Sequence, residues 1–84
     1  MKPLGYTRHA IDVIAEREID AAWIEATVRQ PEWTSPDPHR PEVTRCFRVV
    51  ADRGGRILRV AIVESDEEIR ILSAFLDRGA ARPK

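Results

Sequence analysis

The stretch Val43–Leu76, VTRCFRVVADRGGRILRVAIVESDEEIRILSAFL, decides the fold. Apolar and polar residues alternate through it in three runs, the period of two that a half-buried strand requires. In the first run, Val43–Ala51, residues Val43, Phe47, Val49 and Ala51 fall on related sides, and Thr44, Cys46 and Arg48 on the other. Asp52–Arg56 reads as a turn, since its paired glycines permit positive φ. Ile57–Val63 sets Leu58, Val60 and Ile62 against Ile57, Arg59 and Ala61. Glu64–Glu68 is an acidic turn and Glu68–Leu76 a third strand, followed by a tail over 77–84. Three strands joined by two short turns make an antiparallel meander.

Upstream the period changes from two to that of a helix. Thr7 is a candidate N-cap for a helix over about Arg8–Glu18, whose Ala10, Val13, Ile14 and Arg17 follow the i, i+3, i+4, i+7 rule. Ile19 reads as a buried joint. Asp20 is a candidate N-cap for a second helix, about Ala21–Gln30, with Ala21, Ile24, Thr27 and Val28 inward and Pro31 ending it. Residues 32–42 carry three prolines and read as an ordered loop pinned by Trp33, with Glu32–Thr34 as a short edge. Helices followed by strands indicate an α+β domain over residues 1–84, with both helices on one face of an antiparallel sheet of three to four strands. The expected core is Ile14, Ile24, Val28, Phe47, Val49, Val60, Ile62 and Leu72.

Composition bounds the function. A chain of 84 residues with 43% apolar residues can bury a core, and its length leaves no room for a second one. Cys46 is its only cysteine, so neither an internal disulfide nor a thiol-based metal site is expected, and the default compartment is the cytoplasm. No apolar run approaches a membrane span, and no cofactor or metal is called for. The formal net charge is zero, yet Arg40–Arg59 holds six arginines and two acids, a local net charge of +4 in an otherwise acidic chain. A basic stretch folded as a hairpin points to a phosphate-rich partner such as RNA.

Two groups of side chains are candidates for chemistry. His9 and Arg17 stand on the first helix, near Glu16; a titrating imidazole and a fixed positive charge are the parts of acid–base catalysis on a phosphate. The same residues also fit a solvated helix face. Arg45, Arg48 and Arg59 are candidates for phosphate binding. They equally suit cross-strand pairing with Glu42, Glu67 or Glu68. Ser73 offers a hydroxyl from the last strand, or plain packing.

Tyr6-Thr7-Arg8-His9-Ala10, Glu16-Arg17-Glu18-Ile19, Pro31 and Ile71-Leu72-Ser73-Ala74-Phe75 together resemble a bacterial domain family of unknown function. That family is similar to the RelE/ParE toxins and their BrnT-like relatives, and the resemblance spans about residues 6–76. It implies a RelE-like fold and a toxin of the toxin–antitoxin type, acting as a metal-independent endoribonuclease on messenger RNA with a cognate antitoxin as partner. By position it implies that His9 and Arg17, which match the helix motif, and Ser73, which stands where threonine is common, are catalytic; Arg45, Arg48 and Arg59, singled out by their charge, would then bind the nucleic acid. Phe75 stands where an aromatic, often tyrosine, is common, and lacks the hydroxyl. Glu18 replaces a usual glycine, a change expected to matter little at a helix end. The alternative is a non-catalytic RNA- or protein-binding module, including a ParE-like inhibitor of a protein target.

Overall fold

The computed structural model describes residues 1–83. The first helix, α1, runs over Arg8–Glu16, and Thr7 caps it: its hydroxyl accepts from the Ala10 N–H at 3.1 Å. Such a cap contributes about 1 kcal/mol. Asp20 does the same for α2, Ala21–Arg29, accepting from the Ala22 N–H at 2.8 Å.

The end of α1 determines where Arg17 points. The Ile19 N–H donates to the Ile14 carbonyl at 3.0 Å and the Glu18 N–H to the Ala15 carbonyl at 3.3 Å. These paired bonds form a Schellman motif, which requires a left-handed residue at Glu18, and its φ is 54°. Glu18 is therefore not neutral at this helix end, contrary to the expectation from sequence, because an L side chain in this region is strained by roughly 1–2 kcal/mol. Glu18→Gly is expected to stabilise the domain by about 0.5–1 kcal/mol, the glycine's larger unfolded entropy offsetting part of the relief. A thermal melt checks this, and a lower midpoint in the variant would contradict it.

The sheet differs from the expected one. It has five strands in the order β1-β5-β4-β3-β2, formed by Leu4–Tyr6 (β1), Trp33–Pro36 (β2), Thr44–Val50 (β3), Arg56–Glu64 (β4) and Ile69–Leu76 (β5). The three long strands make the antiparallel meander. The first strand, however, pairs parallel to the last, with Leu4 opposite Ile69 and Tyr6 opposite Ile71. The sheet is thus mixed, which overturns the all-antiparallel, three-to-four-stranded RelE-like fold. A three-residue strand containing a glycine is too short to show alternation, and its partner lies 65 residues away in sequence. At the opposite edge Trp33–Pro36 pairs with Phe47–Thr44. Pro36 is tolerated there because an edge strand need not donate on its outer side.

Both helices cover one face of this sheet. Ala10, Ile19, Ile24 and Val28 pack against Cys46, Val50, Leu58, Val60, Ile62, Ile71 and Ala74. Of the expected core, Ile24, Val28, Phe47, Val60 and Ile62 are buried, whereas Ile14 and Leu72 are half-buried and Val49 is exposed. The error on β3 comes from its register. Cys46 lies opposite Val60 and Phe47 opposite Arg59, so Cys46 meets the helices and Phe47 turns to the uncovered face. On β5, Ala61 faces Ser73 but Ile62 faces Ile71, leaving Leu72 as an extra residue. That bulge resets the alternation, and Leu72 leaves the core.

Candidate anion-binding cleft

Phe75 is the centre of the candidate site. It lies in a cross-strand row, Trp33–Phe47–Arg59–Phe75, on the sheet face without helices. Trp33 and Phe47 stack at 5.0 Å between centroids, their planes 7° apart. The Arg59 guanidinium lies over the Phe75 ring at 4.1 Å, and that of Arg17 stands 5.7 Å from its centroid. Two arginines from distant parts of the chain thus share one ring, each gaining from its π face.

Arg17 arrives there because β1 is short. Beyond Ile71 the last strand has no ladder partner on that side. Two side chains at the ends of α1 take over: Thr7 Oγ donates to the Leu72 carbonyl at 3.3 Å, and Arg17 Nη1 to the Ala74 carbonyl at 3.0 Å. Satisfied this way, the edge carbonyls need no further strand.

Next to Phe75 opens a cleft of about 480 Å³, lined by Arg17, Ile19, Arg53, Arg56, Phe75 and Leu76. Arg53 and Arg56 come from the β3–β4 connection. A 3₁₀ turn over Ala51–Arg53 ends in Gly54 and Gly55, whose φ values of 68° and 79° are the left-handed conformation that glycine adopts without strain. These two residues reverse the chain and leave an arginine on either side of them. Among the described residues the cleft lining contains three guanidiniums and no carboxylate. Among the described residues, none of the three forms an ion pair. Arg53 instead lies over the Trp23 ring at 5.8 Å.

The candidates named from sequence are scattered by comparison. His9 is exposed in the first turn of α1, and Arg17 is at its far end, about 12 Å of rise away. No hydrogen bond joins His9 to Arg17 or Glu16 among the described residues. Ser73 is half-buried on the uncovered face, opposite Ala61 and one row from Arg59. Arg45 shares that face but pairs with Asp37 at 3.5 Å, and Arg59 pairs with Asp77 at 3.2 Å. Burial and the Arg45 charge lower the Arg59 pKa, while Asp77 and Asp37 oppose the shift. Arg48 points the other way. It donates to the Gln30 carbonyl at 2.7 Å, at the C-terminus of α2 where a cation is favoured. Arg45, Arg48 and Arg59 therefore do not form one basic face. Arg53 and Arg56 were missed because, in sequence, they belong to a hairpin turn. Their one signal is that each flanks the glycine pair.

Asp37 holds the loop beneath Arg45. Its Oδ1 accepts from the His39 and Arg40 N–H groups at 2.9 and 3.0 Å. These backbone bonds, His39 first, with the Arg45 charge beside them, hold its carboxyl below the usual aspartate range. Its stabilising contribution is complete above the unfolded value, about 3.9, and is lost as pH falls through the lower folded value. Asp37→Asn is expected to be less stable than the native chain at pH 7, with the gap closing at pH 3. Denaturant melts at both pH values check this, and a gap that widens in acid would contradict it.

Residues 6–76 match the model of a family described as a domain of unknown function, DUF4258. No curated protein and no solved structure matches the chain. No helix of the described residues is long and apolar enough to cross a membrane.

Proposed function

The chain belongs to the DUF4258 family, and we propose that it is a non-catalytic module that binds RNA through the arginine cleft. One observation carries this reading: Arg17, Arg53 and Arg56 line a single cleft with no carboxylate in it. None of the three has a carboxylate partner among the described residues, and like charges lining one cleft repel. A phosphate offsets that repulsion and matches the planar fork. The arginines already paired with Asp37 and Asp77 have no such unmet charge.

A nuclease reading fares less well. The cleft lining holds no histidine, carboxylate, hydroxyl or thiol, so it supplies no group to take or give a proton near neutral pH. Phe75 has no hydroxyl. His9 would have to act from the other end of α1. On the resemblance of the helix motif to RelE/ParE and BrnT-like toxins, messenger RNA is the ligand of first interest and an antitoxin the protein partner to look for.

Fluorescence anisotropy with a single-stranded oligoribonucleotide tests the reading. Three neutralised phosphates predict that log K falls with log salt at a slope of about −2. His9→Gln should bind as tightly as the native chain, and the RNA should stay intact with both. Absence of binding, or an affinity unchanged by salt, would refute the module. RNA cleavage that disappears in a folded His9→Gln protein would replace it with the nuclease.

A further inference from the structure

We infer that the cleft takes one unpaired nucleotide of the RNA, with the backbone phosphates around it on the arginines and its base against Phe75 and Leu76. This rests on the RNA-binding reading and narrows it to a substrate class. The observation behind it is that the cleft is amphipathic. Arg17, Arg53 and Arg56 supply charge, and the other half of the lining, Ile19, Phe75 and Leu76, is apolar. A site for phosphate alone has no use for that half. Ile19 is itself buried, and Leu76 packs on the core, so this wall is fixed by the fold. Its volume, about 480 Å³, lies within the range of small-ligand pockets, roughly 300–1,000 Å³.

The geometry also selects the form of nucleic acid. A paired base in a duplex is stacked between its neighbours and cannot lie against a ring in the wall of a cleft, whereas an unpaired base can be splayed out onto one. Aromatic stacking is tolerant of base identity, because every base has a π face. The cleft should therefore prefer single strands over duplex and show little preference among sequences. Phe75 sits at the end of the Trp33–Phe47–Arg59–Phe75 row, so a strand leaving the cleft can continue onto the helix-free face of the sheet.

The test compares two single-stranded probes of equal length and charge, a short oligoadenylate and an abasic ribose-phosphate oligomer. The native protein is expected to bind oligoadenylate at least about fivefold more tightly, the lower end of what one stacked base contributes. Phe75→Leu should abolish the difference between the two probes, whereas Phe75→Tyr should restore it. Arg56→Ala should weaken both probes alike. A melt of each variant confirms that it is folded. Equal binding of the two probes by the native protein, or a Phe75→Leu protein that keeps the full difference, would overturn the nucleotide site while leaving phosphate binding intact. Failure of both probes to bind would remove the RNA-binding reading as well.

Discussion

Leu58→Ala is expected to destabilise the domain by about 3–5 kcal/mol, the range for truncating a fully buried leucine. Leu58 is 0% exposed and lies in the cluster that joins both helices to the sheet. Its cross-strand neighbours are Arg48 on β3 and Leu76 on β5. The cavity left by the change would open between the sheet and the helices packed on it. A domain of 84 residues has a total stability of only about 4–13 kcal/mol, so the variant should melt some 12 °C or more lower, or fail to fold. Val49→Ala is the matched control. Val49 is 36% exposed, and its truncation should change stability by about 0.5 kcal/mol or less. Equal effects of the two substitutions in denaturant melts would show that the assignment of the β-strand faces is wrong.

Arg53→Ala combined with Arg56→Ala is expected to lower RNA affinity at least tenfold. A hydrogen bond to a charged group contributes about 1.5–3 kcal/mol, and each 1.4 kcal/mol is a factor of ten. The fold should survive, since both residues flank a surface turn and neither is in an ion pair among the described residues. Losing Arg53 also removes its packing over Trp23, so a small drop in melting point is expected. Arg8→Ala with Arg70→Ala removes the same charge from exposed pairs elsewhere and should leave affinity nearly unchanged. Comparable losses in the two double variants, measured by anisotropy at one salt concentration, would mean that net charge and not the cleft drives binding.

The parts of this molecule that were legible in sequence are those with local signals. Thr7 and Asp20 cap their helices as their residue types predict, and Gly54-Gly55 reverses the chain between two strands. What sequence could not show is set by pairing between distant residues. The parallel strand Leu4–Tyr6 depends on Ile69–Ile71. The side to which Phe47 turns depends on its register with Arg59, and the displacement of Leu72 depends on a bulge. The candidate site followed the same rule. The local charge of Arg40–Arg59 was visible, but not which arginines meet acids. Arg45 and Arg59 find Asp37 and Asp77, while Arg53 and Arg56 line one cleft with Arg17, which is distant in sequence. The strain at Glu18 was hidden too, because only the Schellman bonds show that the position is left-handed.

The three cleft arginines, none in an ion pair among the described residues, are the ones proposed to meet phosphate. The salt dependence of single-stranded RNA binding tests this claim most directly, measured for the native chain and for Arg53→Ala with Arg56→Ala. Every phosphate that an arginine no longer neutralises should flatten the plot of log K against log salt by about 0.7, so the double variant should show a slope smaller in magnitude by about 1.4. An unchanged slope in the folded double variant would contradict the claim and place the phosphates elsewhere on the domain.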